Sequence, residues 1–213
     1  WSSNVCSSDL AYTITVGAGG YGARWDTSGS AGSNGLPSSI STSGVAIVSA
    51  TGGGRGSAEA PTYAASIGGS GGGGGHGGSL TGANGTTGEG NKGGDSTDPA
   101  GLPCGGGGGA GSVGGNATVA NTPGVGGAGT NLTFSGVLVT YATGGKGGYR
   151  AASAYTGASG APNTGNGGEG AGGPGLTDAT WGKGGAGGSG IVIVRYVDSG
   201  SFTASVAAPA GTA

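Results

Sequence analysis

The amino-acid sequence predicts a mainly irregular, polyproline-II type of fold: a glycine-rich bundle of polyglycine-II helices, a few short flanking β-strands and essentially no α-helix. Three observations support this prediction. Glycine accounts for 62 of the 213 residues, many glycines recur every third residue, and short β-branched runs stand near both ends of the chain. A glycine in a helix interior costs about 1 kcal/mol, so an α-helix could not survive this glycine density.

The composition limits which class of protein this can be. Large aliphatic side chains are scarce and there are only 2 Phe, so the chain cannot build an ordinary oily core for its length. Only 8% of residues are charged and the net charge is −2, which argues against an expanded disordered chain. The Lys and Arg residues are scattered without a basic stripe, so we expect no nucleic-acid binding. No stretch approaches the roughly 20 apolar residues of a membrane span, so we expect no membrane insertion.

Strand-like runs and glycine content divide the chain into segments. Alternation over residues 11–16 and β-branched residues over 45–49 predict early strands. In chain order we expect an opening segment with β-strands, a glycine-rich bundle interrupted by exposed loops and one strand, a closing β-strand and a flexible C-terminal tail. These correspond to residues 11–51, to 52–190 with a strand near 132–141, to 191–197 and to 198–213.

The spacing of the glycines has a physical interpretation. Glycine recurs every third residue in runs such as 70–78 and 183–190. A polyproline-II helix has three residues per turn, rises about 3.1 Å per residue and forms no internal hydrogen bonds. Its backbone groups must therefore bond to neighbouring helices, and only glycine lets those neighbours approach closely. We expect the uninterrupted runs 71–75 and 105–109 to be the most buried helices.

The first ten residues, WSSNVCSSDL, are interpreted as an artefact or a disordered segment. They are similar to a translated sequencing-adapter fragment, and if they are one, Cys6 is not native. The alternative is a Cys6–Cys104 disulfide, which the spacing leaves open.

Bulky polar and aromatic side chains are concentrated in the interruptions between glycine runs. Loops held by a rigid scaffold are the usual place for binding residues. Aromatic side chains and Arg make strong contact anchors on exposed loops. We therefore predict that receptor binding involves Trp25, Tyr149, Arg150, Tyr155 and Trp181. The alternative is that these side chains cap the open ends of the glycine bundle and cover its apolar surface.

No motif predicts catalysis or a cofactor. Residues 17–22 spell G-x-G-x-x-G after a strand-like run, but no helix follows that could hold a pyrophosphate group. Lys146 and Lys183 are each followed by Gly, which does not fit a P-loop. His76 is the only histidine, and no spacing of the carboxylates places two in one cleft. We therefore expect no enzyme activity, no cofactor and no metal site.

The order of the motifs resembles a known family. TVGAGGYG (15–22), VTYATGGKGG (139–148) and GGSGIVIVRY (187–196) are similar to the glycine-rich domain of phage tail-fibre proteins. The resemblance covers residues 11–197, and its most specific parts are the opening YTITVGAGG and the closing GGSGIVIVRY. In adhesins at the tip of some long tail fibres, a sandwich of polyglycine-II helices carries hypervariable loops that bind a receptor on the bacterial surface. The resemblance implies that architecture for this chain.

The function that the resemblance implies is a non-enzymatic adhesin, which binds a bacterial surface protein or glycan from the tip of a phage-type tail fibre. Its expected location is the extracellular virion tail fibre, and a missing N-terminal part is expected to join it to the rest of that fibre. Two alternatives remain open: a secreted or cell-surface matrix protein in which the glycine lattice itself is the function, and an ice-binding protein. The outward positions of the repeats argue against ice binding, because they are mixed: Ser70, His76, Lys183 and Ala186.

Overall fold

The computed structural model contains short strands and no helix in the residues it describes, which are 11–24, 31–58, 63–75, 81–96, 103–118, 122–174 and 182–195. The expectation of essentially no α-helix is therefore confirmed for these ranges. No helix there has the length and apolar character that a membrane crossing requires. The strands are β1 (Tyr12–Thr15), β2 (Ser38–Thr42), β3 (Val45–Ala50), β4 (Thr130–Leu132), β5 (Val139–Tyr141), β6 (Tyr149–Arg150) and β7 (Gly172–Gly173).

The first three strands form an antiparallel sheet in the order β1-β2-β3. Strands β2 and β3 are joined by Ser43 and Gly44, whose φ angles of 48° and 78° are those of a tight hairpin turn. The ladder between these strands shifts register between Ile40 and Ser41, as at a β-bulge. Strand β2 was not predicted, because its sequence SSIST carries only one apolar residue.

The single strand expected near 132–141 is instead a hairpin of β4 and β5, paired antiparallel from Thr130–Tyr141 to Leu132–Val139. The chain turns between them at Gly136, which has a φ of 90° and donates its N–H to Thr133 O. A single extended strand cannot contain that conformation.

The closing strand expected at 191–197 is not present in its described part. Residues 191–195 belong to no ladder, and 196–197 lie outside the described residues. A β-strand requires a paired edge, and residues 191–195 have no backbone hydrogen bond to another described residue that would provide one.

The glycine segments lie side by side and bond to one another with a period of three. In the segment 104–110, every third N–H donates to the same neighbour. Residues 104, 107 and 110 donate to the carbonyls of 148, 145 and 142, at 2.8–2.9 Å. The residues at 105 and 108 donate to 74 and 71, and those at 106 and 109 to 115 and 112, at 2.8–3.0 Å. The backbone of one segment thus bonds to three neighbours in rotation.

The carbonyls of 104–110 extend this environment to two further segments. Gly94 and Asn91 donate to the carbonyls of residues 106 and 109, while Gly124 and Gly127 donate to those of 104 and 107. All of residues 71–75 and four of the five residues 105–109 are buried, as expected for these runs, but glycines outside them, such as Gly94 and Gly148, are buried as well. Five neighbours surround one extended segment, so all of its N–H groups and the carbonyls of 104, 106, 107 and 109 are bonded without any helix or sheet.

Glycine is required at these contacts because the segments approach so closely. A Cβ on Gly106 would lie 1.9 Å from Val125 O, and one on Gly94 would lie 1.9 Å from Gly115 O. A Cβ on Gly72 would lie 1.8 Å from Arg55 O. The interior is accordingly made of backbone: among the described residues, the buried apolar side chains are those of Ala117 and Pro103. The predicted lack of an oily core is confirmed in that part of the chain.

Eight of the segments form a closed ring. Each bonds to the next through backbone hydrogen bonds, and the ring closes where 184–190 donates to 17–23. The ring surrounds a cavity of about 940 Å³, which we call the lumen. In ring order the segments are 17–23, 33–36, 52–57, 70–73, 105–108, 142–148, 164–171 and 182–190.

Candidate functional site

The register of the hydrogen bonds gives the bundle two different ends. At the turn end, segments are connected by the hairpins described above and by tight turns at 87–89, 110–112 and 162–165. The other end is the loop end. The residues that flank all six internal stretches outside the described residues lie there. The described residues flanking these stretches are Arg24 and Ala31, Ala58 and Tyr63, Gly75 and Thr81, Ser96 and Pro103, Thr118 and Thr122, and Pro174 and Gly182.

Three of the predicted binding residues lie together at the loop end. The rings of Tyr149 and Tyr155 have centroids 5.5 Å apart and are tilted by 49°. Arg150 follows Tyr149 in strand β6 and is exposed. Trp25 and Trp181 lie outside the described residues, so their predicted role stays a prediction.

Backbone pairing with a glycine strand holds this cluster in place. Strand β6 pairs in parallel with β7, matching Tyr149 to Gly172 and Arg150 to Gly173, and Tyr155 bridges Gly172 from the other side. A Cβ on Gly172 would lie 2.6 Å from Tyr149 O and 3.4 Å from the Tyr155 Cβ. Glycine at 172 therefore lets the two tyrosine-bearing strands approach each other.

A carboxylate fixes the position of the Tyr155 ring. The Tyr155 hydroxyl donates a hydrogen bond to Glu169, which also accepts one from the Ala158 N–H at 3.3 Å. The bond from Tyr155 lowers the pKa of Glu169 below its ordinary value of 4.5, and partial burial opposes this only in part. The same bond raises the pKa of Tyr155 above 10.0.

We expect this bond to make stability depend on pH at both extremes. Because the Glu169 pKa is lowered, its contribution is complete above pH 4.5 and is lost as the pH falls through the lowered pKa. Because the Tyr155 pKa is raised, the contribution is also lost as the pH rises through that raised pKa. Urea unfolding of the parent and of Tyr155→Phe between about pH 7 and about pH 3 measures the acid effect. The difference between the two proteins should shrink on acidification, and a difference that is constant with pH would contradict the assignment.

Two cations belong to this cluster. Lys146 Nζ lies 5.0 Å from the centroid of the Tyr149 ring. Arg150 Nε donates to Pro174 O at 3.2 Å, which holds the side chain while leaving it exposed. The cluster therefore presents two aromatic rings and two positive charges, with Glu169 beneath them.

The loop end also carries residues that the sequence did not single out. The Tyr63 ring lies 6.0 Å from the Arg55 guanidinium carbon, and Tyr21 is 81% exposed. Both tyrosines stand in interruptions of the glycine pattern, which is the signal that could have identified them. Lys146 was missed because it occupies an ordinary outward position of a glycine repeat.

The chemistry of this end is that of a contact surface. The cation–π pairs and the tyrosine hydroxyls are groups that bind partners through apolar faces and hydrogen bonds. In the described part of the chain, no cluster of three or more His, Cys, Asp or Glu could hold a metal ion. His76 and Cys6 lie outside the described residues, as do Glu59 and Asp98.

Comparison with known proteins gives one match. A family model described as "Glycine-rich domain" matches residues 2–197. No curated protein and no solved structure matches the chain.

Proposed function

The chain belongs to the glycine-rich domain family, and from this premise we propose that it is a non-enzymatic adhesin whose loop end binds a receptor on a bacterial surface. The receptor is a surface protein or a glycan. The glycine segments form a polyglycine-II bundle, which serves as the scaffold. The adhesin acts at the tip of a phage-type tail fibre.

The hydrogen-bond pattern supports a polyglycine-II bundle. A threefold helix turns each successive N–H by one third of a turn, so its donors reach three neighbours in rotation. The segment 104–110 does this over two full turns, with every third N–H bonded to the same partner. Close approach without a Cβ, as at Gly106 and Gly94, is the other requirement of such packing.

The observation that carries the adhesin proposal is the difference between the two ends. All six internal stretches outside the described residues have both flanks at the loop end, whereas the turn end has short turns and hairpins. A rigid body that carries contact residues beside the chain connections on one face is the usual design of a recognition protein. Tyr149, Arg150 and Tyr155 lie on that face.

The loop end is suited to a bacterial surface by its chemistry. Tyrosine rings stack on the apolar faces of sugars and pack in protein interfaces, and Arg donates to carbonyl, carboxylate and phosphate groups. Such side chains account for much of the binding energy at protein interfaces. Little side-chain entropy is lost when this cluster binds a partner, because pairing of β6 and the bond to Glu169 already order Tyr149 and Tyr155.

We expect the combined variant Tyr149→Ala, Arg150→Ala, Tyr155→Ala to bind cells at least about tenfold more weakly than the parent. Loss of one anchor of this type costs about 2 kcal/mol, and 1.4 kcal/mol is a tenfold change in affinity. Binding is measured by incubating the labelled protein with a panel of bacterial species and quantifying cell-bound label.

The matched control removes the same residue types at the turn end. Tyr12, Phe134 and Arg195 supply two aromatic rings and one Arg there, with the Arg195 guanidinium carbon 5.8 Å from the Phe134 ring. The variant Tyr12→Ala, Phe134→Ala, Arg195→Ala should keep parental binding. Equal binding by the parent and the loop-end variant would remove these residues from the receptor site. Failure of the parent to bind any cell would favour the matrix alternative.

A further inference from the structure

At six glycines an added Cβ would meet no atom closer than 3.1 Å: Gly53, Gly56, Gly107 and Gly187 have open space or ordinary contact, whereas at Gly35 and Gly184 the contact would be tight, at 3.3 and 3.1 Å. A Cβ on Gly53 would meet nothing within 4 Å, and one on Gly56 or Gly107 would meet its nearest atom at 3.8 or 3.5 Å. The φ angle of none of the six lies in the left-handed region that favours glycine. Glycines beside them in the ring, such as Gly52, Gly54 and Gly72, would instead clash with a backbone atom at 2.1, 2.0 and 1.8 Å. The six are Gly35, Gly53, Gly56, Gly107, Gly184 and Gly187.

All six of these glycines line the lumen. They belong to four different ring segments, and Gly53 and Gly56, like Gly184 and Gly187, are spaced by three residues. Elsewhere in the bundle, glycine at this spacing marks an edge against which another extended segment lies, as for Gly71 and Gly74 against 91–94. The lumen wall therefore has glycines at the same spacing as the edges that contact a neighbouring segment.

The lumen wall also offers unused backbone donors. Among the described residues, no acceptor pairs with the N–H of Gly53 or of Gly56. Arg55 lies between them and lines the lumen, and its Nε is buried without a hydrogen-bond partner. Side chains pointing inward could have filled this space, as they do in small barrels. Most of the residues that line this space are instead glycines, among them Gly53 and Gly56 with their N–H groups unpaired in the described part of the chain.

We propose that the lumen is a binding site for an extended, glycine-rich segment of another polypeptide. The wall accepts a backbone at close range, so the occupant has glycine where it faces Gly53, Gly56 and Gly187. The lumen is about 20 Å long, because a wall segment such as 17–23 rises about 3.1 Å per residue. An occupant of about six or seven residues therefore spans it.

The occupant is another protein and not a second copy of this chain. The long glycine runs of this chain, 71–75 and 105–109 among them, are already bonded within its own bundle. The C-terminal residues 196–213 contain only two glycines, Gly200 and Gly211, so they do not offer a repeating glycine edge. This inference does not rest on receptor binding at the loop end.

Fluorescence anisotropy with the full chain tests the proposal. The probe is a fluorescein-labelled (Gly-Gly-Ser)₃ peptide, and the comparison peptide is (Ala-Ala-Ser)₃, which places a Cβ on every contact edge. We expect saturable binding of the glycine peptide that is at least about tenfold tighter than binding of the alanine peptide. Absence of binding by the glycine peptide, or equal binding of both, would overturn the proposal.

The variant Gly53→Ala, Gly56→Ala places two methyl groups in the lumen. It should retain the parental unfolding temperature and bind the glycine peptide at least about tenfold more weakly. Ser49→Thr, Ser135→Thr adds two methyl groups on the exposed outside and should bind like the parent. Unchanged binding by the lumen variant would refute the assignment. In the parent, the amide exchange of Gly53 and Gly56 should slow when the glycine peptide is added, which tests the site even if the variant fails to fold.

Discussion

Gly106→Ala is expected to prevent folding, or to lower the free energy of unfolding by more than about 3 kcal/mol. The new Cβ would lie 1.9 Å from Val125 O and 2.5 Å from Val125 C. Both are backbone atoms, so relief requires the two segments to separate. Separation weakens the bonds between these two segments, from Gly124 N to Cys104 O and from Gly127 N to Gly107 O, both at 2.9 Å. Overpacking costs about 1–3 kcal/mol and each lost hydrogen bond about 1 kcal/mol more.

The control for this experiment is Gly53→Ala. Its Cβ has open space within 4 Å and its φ is compatible with alanine. Alanine also restricts the unfolded chain, so the variant should be as stable as the parent or about 0.4–1 kcal/mol more stable. Thermal and urea unfolding of both variants measure the difference. Similar stability of Gly106→Ala and the parent would contradict the close packing of backbone on backbone.

The different effects expected for Gly106→Ala and Gly53→Ala show which residues determine stability. Stability depends on glycines in the segments, such as Gly94 and Gly106, whose contacts involve no side chain. Because these contacts are made by backbone atoms, an exposed side chain at the loop end, such as that of Arg150, can be exchanged while the hydrogen-bonded segments stay the same. A recognition scaffold needs this property.

The sequence predicts the bundle better than its topology. Glycine at every third residue indicates which edge of an extended segment contacts a neighbouring segment. The absence of α-helix and of an oily core could therefore be predicted. The partners of each edge could not, because a glycine edge such as that of 105–109 accepts any extended neighbour equally well. The ring and its lumen arise from that choice of partners. Strand β2 was missed for a related reason: its pairing comes from its neighbours and not from an apolar pattern of its own.

The candidate site was predictable in part. Tyr149, Arg150 and Tyr155 stand in one interruption, and their proximity follows from the short chain between them. Glu169 beneath Tyr155 and Gly172 between the strands are contacts over longer distances along the chain. No local pattern marks them, since a single Glu in a glycine run is as well interpreted as a solvated charge.

Hydrogen exchange is expected to divide the glycines of this bundle into two groups that differ at least about 10³-fold in protection. The amides of Gly105, Gly106 and Gly108 are all bonded to neighbouring segments and buried, so they exchange only when the bundle opens. Opening costs up to the global free energy of unfolding, about 5–15 kcal/mol for a protein domain. Gly53 and Gly56 lie in the same kind of segment and line the lumen, but their amides have no acceptor among the described residues.

The measurement is exchange of ¹⁵N-labelled protein into deuterated buffer, followed by NMR. Intrinsic exchange depends on the residue itself and on the one before it. Gly53, Gly106 and Gly108 each follow another glycine, so their intrinsic rates are alike and the difference among them reports structure. If the bonded amides are protected and the unbonded ones are not, the extended segments hold one another rigid without a side-chain core. Rapid exchange throughout 104–110 would mean that the segments do not bond to each other in solution. The proposals for the loop end and for the lumen would then both fail, because both depend on these bonds.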